Sequence, residues 1–271
     1  MKKIAIVIAV LFFAKAGFSQ NDDTKKFRFG LKIAPAINWL KPDDTKKYAT
    51  NGVTLGFNWG LTGEYNISKN FAIISGVEVF HESGKIEFIN EVQPVHYYMT
   101  EGYEIIETKE QGGIYVPQDT TGFKMALASR KYKASYVVVP IGIKMKTNQI
   151  GYLTYFGEFG INLAFKTGSK INDEAIVVDN NASDEIKSKL NNPEDIIIKN
   201  EMQPLRTQLK IGLGAEYEIS EGTAIVAGLH YNLGFTNVVK TESNSLLTNL
   251  NQQVKQKFTA HGILLSIAVL F

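Results

Sequence analysis

Two residues in the stretch FHESG, His81 and Ser83, have the types that nucleophilic hydrolysis needs. A histidine beside a serine can take the hydroxyl proton and leave an activated oxygen. Spacing fixes no third, acidic residue, so polar side chains at the wet end of a strand are the simpler reading; the same holds for His261. A second set is larger and nearly balanced in sign. It comprises Arg28, Lys32, Lys144, Lys146, Lys166, Arg206 and Lys210 with Glu64, Glu78, Glu158, Glu216 and Glu218, joined by His230 and Asn232. Buried charges are tolerated when paired, so this set suits an internal salt-bridged network, with a narrow pore or proton path as the alternative. A third set is acidic: Asp173, Glu174, Asp179, Asp184, Glu185, Glu194, Asp195 and Glu201 fall within residues 167–204. Carboxylate oxygens suit Ca²⁺, but no ligand spacing is recognisable and a solvated acidic face is expected. With no cysteine in the chain, thiolate metal sites, disulfides and cysteine nucleophiles are excluded. No phosphate loop, zinc spacing or nucleic-acid motif is found, and neither a metal nor a cofactor is expected.

The elements that carry these residues repeat one pattern. Eight segments alternate apolar and polar residues at period two, the signature of strands: 27–39, 52–66, 71–83, 131–146, 152–166, 205–219, 223–237 and 258–271. In the sixth, Leu205, Thr207, Leu209, Ile211, Leu213, Ala215, Tyr217 and Ile219 form one face; Arg206, Gln208, Lys210, Gly212, Gly214, Glu216 and Glu218 form the other. The connections alternate too. Residues 67–70, 147–150 and 220–222 are tight turns, whereas 40–51, 84–130, 167–204 and 238–257 are long. That describes an all-β, eight-stranded, antiparallel up-and-down barrel with both termini at the short-turn end. Segments of this length suit a tilted bilayer crossing.

The first residues, MKKIAIVIAVLFFAKAGFSQ, join a basic start, a short apolar run and small residues at 17 and 19. This is a secretory signal peptide covering residues 1–19, leaving a barrel domain over 20–271. It holds three of the 29 lysines and arginines, so 26 cations would remain against 27 anions. A balance so close to neutral excludes a strongly basic nucleic-acid surface. A composition of 11% aromatics with 23 glycines and 7 prolines suits a β-rich fold.

Alternation alone does not say which face is inside. Glycine placement decides: Gly30, Gly56, Gly60, Gly76, Gly142, Gly160, Gly212, Gly214, Gly228, Gly234 and Gly262 share the polar face, and only Gly63 and Gly157 the apolar one. Crowding inside an eight-stranded barrel favours glycine beside long charged side chains, whereas a solvated outer surface has no such need. The polar face is therefore expected inside and the apolar face on lipid. Trp39, Tyr65, Tyr152, Tyr155, Phe165, Tyr217, Phe235 and Phe258, on or near the apolar face toward segment ends, would form interfacial girdles. The terminal Phe271 closes an alternating strand and resembles the signal read by the outer-membrane barrel assembly machinery.

The stretch YVVVPIGIKMK (136–146), the stretch LKIGLGAEYEISEGTAIVAGLHYNLGFTNV (209–238) and the last strand resemble the PorT-like outer-membrane β-barrel family common in Bacteroidetes. The resemblance covers essentially the whole mature chain, but its motifs are structural. It implies a transmembrane barrel with long extracellular loops. It also implies a link to protein export, since the family's namesake is associated with the Bacteroidetes secretion system. The functional expectation is a non-enzymatic outer-membrane protein acting at the cell surface or with export machinery. Its expected partners are outer-membrane lipid, the assembly machinery and a secretion-system or surface protein. The alternatives are a lipid-modifying enzyme, since the His81–Ser83 spacing is similar to that of lipid A deacylases, and a soluble secreted barrel holding an apolar ligand. Within the long loops, 103–118 reads as a hairpin turning at QGG, Tyr97, Tyr98, Tyr103 and Tyr115 as packing or contact aromatics, and 182–190 as a short surface helix.

Overall fold

The computed structural model describes residues 26–271 apart from 91–93, 199 and 221; the signal peptide expected over 1–19 lies outside the described residues. Eight strands form a closed ring: β1 (Phe27–Pro42), β2 (Thr54–Asn66), β3 (Phe71–Phe88), β4 (Phe123–Lys146), β5 (Leu153–Val177), β6 (Leu205–Ser220), β7 (Thr223–Gly234) and β8 (Phe258–Leu270). Each pairs antiparallel with its sequence neighbours, and β1 pairs with β8 to close the barrel, Gly30 opposite Leu270 and Lys41 opposite Thr259. Closure leaves none of the eight with an open edge, as strands crossing lipid require.

The side chains follow the pleat. On β4, Val137, Val139, Ile141, Ile143 and Met145 point outward while Val138, Pro140, Gly142 and Lys144 point inward and are buried. Those five outward residues span about 27 Å of chain at about 3.3 Å per residue. Strand tilt shortens this to about 20 Å, close to the roughly 25 Å apolar band of membrane barrels. The inward glycines sit where the wall is crowded. A Cβ on Gly160 would lie 2.6 Å from the Gly142 Cα, and one on Gly142 would lie 2.8 Å from the Phe159 carbonyl oxygen. The apolar face is thus outside and the polar face inside, as the glycines indicate in the sequence.

Strands β3, β4 and β5 run well past their neighbours on the long-loop side. Between them β5 carries a bulge: Ser135 pairs with Gly168 and Tyr136 with Lys166, leaving Thr167 unpaired. The extra residue reverses the pleat. Inward residues are even-numbered up to Lys166 and odd-numbered from Ser169, so Ile171, Asp173, Ala175 and Val177 become buried.

The long segments close over this extension. Val95–Met99 pairs with β4, Tyr48–Thr50 with β3, and Ile196–Ile197 with β5, while Glu242–Leu247 pairs with Gln253–Lys255 and meets His96 through Leu247. Their apolar side chains join one core that includes Phe80, Ile86, Tyr97, Met99, Met125, Ile171, Leu246 and Phe258. Helix α1 (Asp184–Leu190) starts at Ser183, whose hydroxyl accepts from the Ile186 amide at 3.3 Å, and Leu190 anchors it in the same core. Residues Thr108–Gln111 and Ile114–Pro117 form the expected hairpin; Gly112 and Gly113, at φ 62° and 83°, supply the left-handed turn that a two-residue hairpin favours.

Candidate functional site: a filled lumen beneath a folded cap

Inside the barrel the charges fall into three layers. At the short-turn end, Arg28 donates to Glu64 at 2.7 Å and to Glu216 at 2.6 Å, and Lys144 reaches Glu64 at 3.0 Å. Lys144 also pairs with Glu216, and Lys146 with Glu64. At mid-height, Lys32 pairs with Glu78 at 2.5 Å and Lys210 with Glu158 at 2.8 Å. His230 completes that layer, its Nε2 2.7 Å from the Ser266 hydroxyl and its Nδ1 3.5 Å from Glu158. Toward the long-loop end, Arg206 pairs with Glu82 and stacks over Tyr136, 4.3 Å from the ring centre. The cavity among Lys32, Glu78, Lys144, Glu158, Lys210 and His230 measures about 30 Å³, room for only a few waters.

Nearly all the interior residues expected from sequence meet in this network. Two do not. Glu218 lies at the rim, accepting from the Gln149 side chain at 2.7 Å, because β6 has by then left the lumen for the turn. Lys166 sits next to the bulge and donates to the Met202 carbonyl oxygen at 2.9 Å. Glu82 stands outside the expected set, though it lies four residues after Glu78 and so on the same face. The girdle also needs one correction. Phe258 faces inward and is fully buried, with Tyr48 edge-on at 5.1 Å. Trp39 does lie outside, stacked on His261 at 5.9 Å and on Tyr231 at 6.2 Å. Phe271 lies against Phe29 at 6.4 Å, where the first and last strands meet.

Above the lumen, Arg130 and Asp173 form a two-point pair, Nε to Oδ1 and Nη2 to Oδ2 both at 2.7 Å, with neither side chain exposed. Tyr97 covers it, its ring centre 5.1 Å from the guanidinium carbon. The acidic segment is therefore not uniformly solvated: Asp173 and Glu201 are buried. Glu201 accepts from the hydroxyls of Ser243 and Ser245 and from the Asn244 amide. Glu174 and Asp195, at the surface, pair with Lys85 and Lys133. Of the four loop tyrosines, Tyr97 is buried and Tyr103 exposed, with Tyr98 and Tyr115 between.

Burial in the cap holds His96 neutral, its pKa pushed down to about 4, with Lys124 adding to the shift. A lowered pKa means that, between about pH 6.5 and 4, the opened cap binds a proton that the closed cap refuses. Stability is then present above pH 6.5 and lost as the pH falls through this window. Amide exchange at Val95–Met99, corrected for intrinsic rate, is expected to rise by roughly fifty- to a hundredfold at pH 4.5 relative to pH 7.5. In His96→Gln that pH dependence should flatten; equal dependence in both proteins would contradict this assignment.

His81 and Ser83 do lie on the outward face, just beyond the apolar band. The nearest polar partner of His81 is across the sheet rather than along it: its Nδ1 is 2.9 Å from the Ser135 hydroxyl. Among the described residues, no hydrogen bond or ion pair joins a carboxylate to His81.

An apolar belt facing outward around a charge-filled lumen defines an integral outer-membrane β-barrel and excludes the soluble barrel with an apolar interior. The chain belongs to the family described as outer membrane protein beta-barrel domain, whose model matches residues 18–240. Similar solved structures include Neisserial surface protein A (11% identity, 90% of this chain and 96% of that one, TM-score 0.39). OprG from Pseudomonas aeruginosa is 11% identical over 90% and 95%, with a TM-score of 0.42. Ail of Yersinia pestis is 13% identical over 91% and 99%, with a TM-score of 0.32. No curated protein matches the sequence significantly.

Proposed function

We propose that this protein is a non-catalytic outer-membrane anchor holding a rigid extracellular cap against a partner protein at the cell surface. The observation that carries the reading is the cap itself: the long segments share one apolar core with the barrel wall instead of lying loose. Loops on a rigid scaffold are where binding concentrates. The hairpin Thr108–Pro117 is the element offered for contact. It leans on the 248–252 turn through the Tyr115 amide and the Asn251 carbonyl oxygen at 2.8 Å, and leaves Ile114 exposed. The resemblance to PorT-like chains favours a secretion-system component as that partner.

A photo-crosslinking residue placed at Ile114 in intact cells should give one discrete protein adduct. The same residue at the tight turn formed by 147–150 should not. Absence of an adduct from Ile114, Lys109 and Tyr103 alike would contradict the interaction reading. The deacylase alternative makes a different forecast: outer-membrane lipid would lose one acyl chain in cells overproducing the protein. The present reading expects identical lipid masses in overproducing and deletion strains.

A further inference from the structure

The outward face of β3, β4 and β5 changes character at a single level. Val79, Val137 and Phe165 are the last apolar residues, and the next outward positions are His81, Ser135 and Gly168, which pair in register. One step further, Ser83, Lys133 and Lys170 line up; beyond them come Lys85, Lys131 and Asn172. The His81 and Ser83 rows, with Lys131, line an open groove of about 720 Å³ that also includes Leu55, Phe57 and Ile197. Two cations are answered locally, Lys133 by Asp195 at 3.0 Å and Lys85 by Glu174 at 2.6 Å. Lys131 and Lys170 form no ion pair with a described residue.

We propose that this groove binds the phosphate-bearing headgroup of an outer-leaflet lipid. Three observations converge. The groove begins where the acyl region ends, so a lipid whose chains lie on Val79, Val137 and Phe57 brings its headgroup to the His81–Ser135 row. The lysines supply a cationic field of the kind that attracts anionic headgroups. The serine and histidine groups add donors at the same level, and Leu55 and Ile197 offer apolar contact on the flanks. Lysine stems can also lie along lipid while their ammonium groups reach the phosphate layer. The occupant is a lipid rather than a free anion because the groove opens sideways onto the membrane-facing wall. This site goes beyond the protein-contact reading above and does not depend on it.

The test uses the full mature barrel in phosphatidylcholine nanodiscs doped with diphosphorylated lipid A or with its dephosphorylated form. Lipid retained per barrel is read by native mass spectrometry. The phosphorylated form should be retained roughly tenfold more strongly, with the preference falling as salt rises. The triple variant Lys131→Glu, Lys133→Glu, Lys170→Glu should lose the preference while remaining heat-modifiable on a gel. If that variant fails to assemble, Lys131→Gln with Lys170→Gln should still lower the preference several-fold, since neither side chain holds an internal ion pair. Equal retention of both lipids, or a preference that survives the neutralising substitutions, would overturn the proposal. Displacement of the lipid by low-millimolar inorganic phosphate would overturn the lipid assignment in favour of a free-anion site. Loss of an acyl chain from the bound lipid would replace binding by hydrolysis.

Discussion

Replacing Asp173 by alanine is expected to open the extracellular cap while leaving the barrel beneath it assembled. The substitution strands the Arg130 guanidinium, which has no exposed surface and donates two hydrogen bonds to this one carboxylate. Breaking one side of a buried pair typically costs about 3–5 kcal/mol, because the remaining charge is left without compensation. The cap core contains Tyr97, Met99, Met125 and Ile171 around that pair, so the loss falls on the cap as a unit. Limited proteolysis should cut near Val95–Met99 and Ile196–Ile197 in Asp173→Ala but not in the parent protein. Both should keep the fast-migrating band of an unboiled sample. A second variant separates charge from packing: Asp173→Leu combined with Arg130→Met removes both charges and should recover most of the protection. A cap as resistant in Asp173→Ala as in the parent would show that the pair does not hold it.

The second large effect is expected at Glu64. Arg28, Lys144 and Lys146 all reach this carboxylate, and Glu216 is the other anion within the layer. Glu64→Leu leaves three buried cations with one carboxylate. The expected penalty is again about 3–5 kcal/mol, here within the barrel wall, so the folded, heat-modifiable fraction should fall sharply and unfold at lower urea. Glu64→Asp keeps the charge on a shorter arm and should recover much of the loss. Glu218→Leu, at the rim, should be close to silent. If Glu64→Leu and Glu218→Leu behaved alike, the layered network would not be what stabilises the lumen.

The barrel was legible because its physics is periodic. Five strands begin and end within a few residues of the boundaries that alternation predicts, and the inward glycines identify the lumen before any coordinates are considered. Several features escape that reading. The extension of β5 was hidden by the bulge at Thr167, which shifts the alternation by one residue and turns Asp173 from an apparent loop acid into a buried ion-pair partner; that of β4 was hidden by a second register shift between Leu127 and Ser129. Arg130 lay one residue outside the expected start of β4, so its pairing was invisible. Phe258 reads as a girdle aromatic from its place at a strand end, although its even parity with Ala260 and Leu264 puts it inside. Glu82 was readable by the same parity. The cap as a whole was not, because its core is assembled from segments far apart in sequence, from Tyr48 to Phe258, and no local pattern announces which long connections meet.

The two faces of the barrel wall put apolar residues on lipid and charged residues in a closed lumen, with a sharp outer boundary at the His81–Ser135 level. The absence of cysteine from the chain makes this directly measurable. Single cysteines at Lys131, Lys133, Val137, Val139, Ile141 and Ile143 would carry a spin label on the bilayer-reconstituted barrel, and the accessibility of each to oxygen and to a water-soluble nickel complex would be recorded. High oxygen and low nickel accessibility is expected from Val137 to Ile143, with the reverse at Lys131 and Lys133. Nickel accessibility throughout the Val137–Ile143 series would contradict it, because those side chains would then face water rather than lipid.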